Sequence, residues 1–384
     1  MPGIVTLVGL AVLNHIAFAG ARVALTLSAL HVQASTLKVG MLLSMLAVLP
    51  MILSIPAGRW IDRIGPRWPM LAGTALLAAG VAIPALQLRF ATLEAAAVMI
   101  GLGFLPFHLA VQKLISQLGN PEQRRRNLSL MAIGFSISAF IGPILTGVLI
   151  DEIGHRVAFA VHAGLALVAL IWMKTLGAAL PDRRDAPHEP PRGLKITDLL
   201  VTREMRRLYL VVSLISSAWE VHSFVVPLYG ARLGLSASAI GLVLGSFAIA
   251  SLVVRVIVPV FLKNVREWTA ILVALAMATA VYGIYPASGR LEAMMALSFI
   301  LGLGLGVSQP MILSILAQSA PSDRLGEATG LRMTLVFGIQ AGLPTAFGAL
   351  GALFGIGMLF WGMAGLLGVG LVGIGRSVRR ETSH

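Results

Sequence analysis

Gly58-Arg59-Trp60-Ile61-Asp62-Arg63-Ile64-Gly65-Pro66-Arg67-Trp68 is a compact charged hinge between two long apolar runs, 38–58 and 69–88. A helix needs about 20 apolar residues to cross the hydrocarbon of a bilayer. Both flanking runs have that length, so the charged stretch reads as the turn between two membrane helices.

The rest of the chain follows the same pattern. With 57% hydrophobic and 12% charged residues over 384 positions, and a mean hydropathy of +0.90, there is more apolar surface than a soluble core absorbs. Apolar runs at 4–30, 38–58, 69–88, 93–118, 128–150, 157–176, 208–230, 238–261, 268–286, 292–318, 328–350 and 353–375 predict twelve spans of an all-α integral membrane protein. Strands of a membrane barrel would instead read as alternating segments of about ten residues, and none is present. The opening residues through Ala17-Phe18-Ala19 imitate a signal-peptide cleavage site. No basic segment precedes them, however, and the apolar run continues past Arg22 to Leu30, so the stretch reads as the first span.

The long polar connection carries Pro181-Asp182-Arg183-Arg184-Asp185 and Pro187-His188-Glu189-Pro190-Pro191. Such composition marks a linker, here 177–207, between an N-terminal six-helix half (1–176) and a C-terminal one (208–384). Within it, Thr197-Asp198 could cap a short helix on the membrane surface. Lys and Arg distribute unevenly: even-numbered connections and the C-terminus hold twenty, including Arg59, Arg63, Arg67, Arg124, Arg125 and Arg126, while the odd-numbered ones hold five, Lys38, Arg89, Arg156, Arg232 and Arg290. Basic residues collect on the cytoplasmic side, which predicts a multi-pass protein of the cell (inner) membrane with a cytoplasmic linker and both termini cytoplasmic. The net charge of +13 therefore sets topology, and with no basic stripe interleaved with aromatics, no nucleic-acid partner is expected. Zero cysteines and eight histidines without ligand spacing leave no metal site, and no cofactor is expected.

An internal repeat appears at offsets of 200 and 201. Asn120-Pro121-Glu122-Gln123-Arg124 aligns with Ala320-Pro321-Ser322-Asp323-Arg324, Gly101-Leu102-Gly103 with Gly302-Leu303-Gly304, Gly40 with Gly241 and Trp68 with Trp268. Two copies of a six-helix unit predict a substrate site at their interface near the midplane, reached alternately from each side.

The residues Gly58-x-x-x-Asp62-Arg63-x-Gly65-Pro66-Arg67 resemble the loop between helices 2 and 3 of the major facilitator superfamily, and twelve helices in two pseudo-symmetric halves resemble that family over the whole chain. Pro66 stands where the family usually has a basic residue. The resemblance implies that Gly58, Asp62, Arg63, Gly65 and Arg67 form a cytoplasmic gate, a latch against the second half, with Gly58 letting helix 2 approach a neighbour and Arg255 and Arg332 pairing nearby. Ser129-x8-Ser138-x3-Gly142-Pro143-x-x-Thr146-Gly147 resembles a helix-5 pattern of drug/proton antiporters, with Ser or Thr at three glycine positions, and a weaker echo stands at Gly342, Pro344 and Gly348. Ser138, Gly142, Pro143 and Gly147 are thus expected at a helix-5 kink. The R-x-x-Q-G motif common in helix 4 of those antiporters is absent; Ala97-Val98-Met99-Ile100-Gly101 stands there.

Ionisable and polar residues inside spans are functional candidates. Asn14, Arg22, His108, Gln112, Trp219 and Gln309 are expected at the substrate cavity, since helices 1, 4, 7 and 10 line it in the family. Glu220, the one acid placed deep in a span, is the leading proton carrier, with His222 and His15 beside it. Glu94, Glu292, Asp151 and Glu152 read as solvated charges at outer ends. No phosphate loop or hydrolytic constellation is present, so no enzyme is expected. The reading is a secondary active transporter, functional as a monomer, exporting small amphipathic organic compounds in exchange for protons; the alternative is an organic anion or metabolite transporter of the same fold.

Overall fold

The structure, a computed structural model, describes residues 3–177, 200, 202–261, 266–320 and 325–382. Of the linker expected over 177–207, residues 178–199, Thr197-Asp198 among them, and 201 lie outside them, as do Lys263 and Arg324, while its last five residues already belong to a helix. Among the described residues run twelve helices: α1 (Ile4–His31), α2 (Thr36–Ile64), α3 (Arg67–Leu86), α4 (Phe90–Gln117), α5 (Pro121–Glu152), α6 (His155–Leu176), α7 (Arg203–Arg232), α8 (Ala237–Phe261), α9 (Glu267–Ile284), α10 (Leu291–Ser319), α11 (Leu325–Phe354) and α12 (Ile356–Thr382). All twelve carry a stretch long and apolar enough to cross a membrane.

Several helices outrun their apolar cores. Helix α2 continues through Pro50, Pro56 and Gly58 to Ile64, and Gly65 ends it at φ +82°, a conformation that favours glycine. The expected hinge is therefore the last two turns of α2 followed by a tight corner. Likewise α5 starts at Pro121, seven residues before its apolar run. Asn120 accepts from the Gln123 amide at 2.9 Å, and the Gln123 side chain accepts from the Asn120 amide at 3.0 Å, a reciprocal cap that nucleates the helix on polar residues. Hydropathy marks only the part of a helix that meets hydrocarbon.

The repeat offset of 201 reappears as geometry. A Cβ at Gly101 of α4 would strike the Leu46 carbonyl of α2; one at Gly302 of α10 would strike the Phe247 carbonyl of α8. These crossings lie within each half. Between halves, Gly40 of α2 abuts the Pro344 carbonyl of α11, and Gly241 of α8 abuts the Pro143 carbonyl of α5. Gly348 similarly meets the Thr36 carbonyl and Gly147 the Ala237 carbonyl. The two interfaces α2–α11 and α5–α8 are thus copies of one another, related by the pseudo-symmetry of the halves.

These crossings all lie toward one end of the bundle, where α1 joins α2 and α7 joins α8. There the Ser44 hydroxyl lies 2.8 Å from the Thr345 hydroxyl, and the Asp151 carboxylate accepts from the Ala237 and Ser238 amides at 3.0 and 2.7 Å. Asp151 was expected as a solvated charge; instead it caps the N-terminus of α8 across the two halves, where the helix dipole favours an anion. This is the closed end. At the opposite, basic end, α2 exposes Ile52, Ile55 and Trp60.

Candidate functional site

A cavity of about 300 Å³ lies between the halves, walled by α1, α5, α7 and α8. Phe18 of α1, Phe135 of α5, Trp219 of α7 and Phe247 of α8 supply its aromatic surface, and His15, Arg22, His222 and Arg255 its chargeable groups; among the described residues no Asp or Glu lines it. Trp219 meets Phe247 edge-on, with ring centroids 4.5 Å apart, and His222 stacks on the same ring at 4.2 Å.

Arg22 of α1 forms an ion pair with Glu220 of α7, joining the halves toward the closed-end side of the cavity. Glu220 is 3% exposed, so its carboxylate sits behind Arg22 rather than on the cavity surface. Because a charge removed from water is tolerated only with a partner, this pair explains how an acid and an arginine share the interior. The sequence suggested both residues but placed them in separate roles. His222 Nε2 lies 3.1 Å from the Ser298 hydroxyl of α10, which in turn lies 2.9 Å from the Tyr285 hydroxyl, so His222 is tied to its own half.

His15 lines the cavity and makes no hydrogen bond within the described residues, its Nδ1 being buried and unpartnered. Its ring lies against Phe135 at 4.7 Å and Phe104 at 5.7 Å, and His108 stacks on the far side of the cluster, 5.2 Å from Phe135. Hence His108 backs the wall instead of lining it. Three further expectations are corrected. Asn14 is fully buried and donates to the Thr74 hydroxyl of α3 at 2.7 Å, because its side of α1 packs inside the first half. Gln112 is exposed, and Gln309 is half-buried on α10 and outside the cavity wall.

The gate residues are also redistributed. A Cβ at Gly58 would meet nothing within 4 Å, so this glycine serves no close helix approach. Asp62 accepts from Lys113 Nζ of α4 at 2.8 Å, an ion pair inside its own half rather than against the second. Arg63 is exposed; the Arg67 guanidinium lies over the Trp68 ring at 5.7 Å. Gly65 turns the corner. Arg255, expected beside Asp62, lines the cavity instead, its Nη1 donating to the Ala132 carbonyl at 3.0 Å and the Ser136 hydroxyl at 2.8 Å on α5. Arg332 donates to Met333 Sδ at 3.2 Å on its own helix.

Along α5 two of the three hydroxyls that replace glycines bind α1, while Ser129 is exposed. Ser138 donates to the Val12 carbonyl at 3.1 Å and Thr146 to the Gly20 carbonyl at 3.0 Å, eight residues apart on both helices. Gly142 fits against Gly20, while Pro143 and Gly147 face α8. The sequence missed Lys113, the phenylalanine cluster and the role of Asp151; only the depth of Lys113 in an apolar run gave any signal.

Comparison with known proteins gives consistent results. The family described as Major Facilitator Superfamily matches residues 7–338 and again 208–383. A protein of Mycobacterium tuberculosis named chloramphenicol efflux pump is 24% identical over 374 residues, covering 91% of this chain and 86% of its own. Among solved structures, a POT family transporter in complex with a thioalcohol-conjugated peptide superposes with a TM-score of 0.83 at 15% identity, over 98% of this chain and 96% of that one. The human organic anion transporter MFSD10 (TETRAN) does so with a TM-score of 0.69 at 17% identity, over 97% of this chain and all of its own. At such identities the superpositions speak to the fold alone.

Proposed function

The chain belongs to the major facilitator superfamily, and from that premise we propose that it exports small amphipathic organic compounds in exchange for protons. The observation that carries this reading is the Arg22–Glu220 pair, which joins the halves beside an aromatic cavity. The relatives named chloramphenicol efflux pumps support the direction of transport. The preponderance of basic residues at the end where α2 joins α3 supports its placement in the cytoplasm. The state described would then be closed toward the outside.

In this scheme the ion pair and a proton on Glu220 exclude one another. With the pair formed, α1 and α7 are held together and the closed end stays shut. Loading of a compound into the cavity competes for contacts around Arg22 and Trp219, loosening the pair and letting the closed end part. Outside, a proton neutralises Glu220, which frees Arg22 and lets the empty carrier return. Re-formation of the pair expels the proton inward. The halves rock about the two symmetric glycine crossings. Each chain contains a whole cavity and would work as a monomer.

The test is transport of chloramphenicol into everted membrane vesicles energised with a pH gradient. Glu220→Gln should lower gradient-driven uptake at least tenfold while leaving gradient-independent exchange of the compound nearly intact. Because the substitution strands Arg22, the double variant Arg22→Gln/Glu220→Gln serves as the folding control. Full gradient-driven transport in either variant would refute the role assigned to Glu220.

A further inference from the structure

The cavity is unbalanced in charge. Its wall holds the guanidinium of Arg255 and the imidazoles of His15 and His222, with no carboxylate among the described residues, and Glu220 beside it is already paired with Arg22. Arg255 is half-buried on that wall: Nη1 serves Ala132 and Ser136 on α5, and no hydrogen bond from Nε or Nη2 is found among the described residues, which leaves those donors to a ligand in the cavity. His15 also lines the cavity, with its Nδ1 buried and unpartnered, and Arg255 and His108 are the charged or chargeable groups that act on it electrostatically.

These groups come from both halves, Arg255 from α8 and His15 from α1. The α5 acceptors hold the guanidinium through Nη1, and both Arg255 and His15 line the cavity. Around that space stand Phe18, Phe135 and Phe247, with Trp219 beyond. A fork of N–H donors matches a planar carboxylate, and flat aromatic walls match a ring. At about 300 Å³ the cavity is at the small end of the range of ligand sites, roughly 300–1,000 Å³. Its size suits one or two fused rings.

We propose that Arg255 and His15 form a carboxylate-binding subsite, and that the amphipathic compounds carried include aromatic monocarboxylates whose ring lies between the phenylalanines. This rests on the cavity being the transport site and deepens that reading by naming the substrate class. Arg255, read from the sequence as a gate residue, becomes the anchor of the substrate. His15 closes the subsite from the opposite half, so that one anion touches both bodies that move.

Binding to the purified protein in lipid nanodiscs tests this without any gradient or flux. The probes are 2-naphthoate, its neutral amide 2-naphthamide and the cation 2-naphthylmethylammonium, which share a ring system and differ in charge. Wild-type protein should bind the acid at least tenfold more tightly than the amide and the cation weakest of all. Arg255→Gln should abolish the preference by weakening the acid at least tenfold and leaving the amide within twofold. The retained amide binding also shows that the variant is folded. His15→Phe, which keeps the ring and removes the nitrogens, should weaken the acid severalfold and spare the amide. Equal binding of acid and amide by the wild type, no binding of the acid, or an acid preference that survives Arg255→Gln would each overturn the subsite. In those cases gradient-driven export of chloramphenicol would still stand or fall on its own assay.

Discussion

Asp62 and Lys113 illustrate what a single ion pair can contribute. The Asp62 side chain is 48% exposed and that of Lys113 19%, with 2.8 Å between them. Solvent and salt screen such a pair, so it is worth at most about 1 kcal/mol. Asp62→Asn and Lys113→Met should therefore each leave the melting temperature within a few degrees of wild type. Because the pair lies inside one half and away from the cavity wall, turnover and substrate affinity should both stay within about twofold of wild type, as measured by transport kinetics beside equilibrium binding. A large loss of either would contradict that placement. The motif at 58–67 made Asp62 visible, but its partner sits 51 residues away on α4. Which residue of an apolar run meets a given carboxylate depends on how two helices are rotated against each other. The same reason hid the pairing of Arg22 with Glu220 and moved Arg255 from the gate to the cavity.

At the level of elements, the glycine crossings make a sharper claim. A methyl group at Gly40 would overlap the Pro344 carbonyl, and one at Gly241 would come within 2.6 Å of the Pro143 carbonyl. Backbone cannot move aside as a flexible side chain can, so α2 must separate from α11, or α8 from α5. Gly40→Ala and Gly241→Ala should each loosen the closed end. Spin labels on cysteines at the exposed positions Gln33 and Leu233 would report this as a distance lengthened or broadened by several ångströms. Gly164→Ala, where a Cβ meets nothing within 4 Å, should leave it unchanged. Equal distances in all three variants would mean that the crossings do not hold the end shut. The glycines themselves were legible as a repeat; their partners were not, since Pro344 and Pro143 read only as a kink signal.

For the molecule as a whole, alternation requires the closed end to open. The chain has no cysteine, and the hydroxyls of Ser44 and Thr345 lie 2.8 Å apart across the interface, so sulfurs at these positions need shift little to reach the ~2 Å of a disulfide. Ser44→Cys/Thr345→Cys, oxidised, should lower export at least tenfold, with activity restored by reductant. Undiminished export by the cross-linked protein would exclude opening at this interface.

The sequence by itself determined the twelve spans and the doubling of a six-helix unit. Those follow from constraints that act along one dimension: hydrocarbon thickness sets the length of each apolar run, and duplication leaves Gly40 and Gly241, or Gly101 and Gly302, in matching places. The tertiary structure alone decided which polar side chains meet. Each residue step turns a helix by about 100°, so a small rotation of α1 is enough to bury Asn14 against Thr74 while His15 and Arg22 face the cavity. That rotation is fixed by packing against neighbours distant in the chain, such as Ser138 and Thr146 gripping α1 from α5, and no local pattern records it.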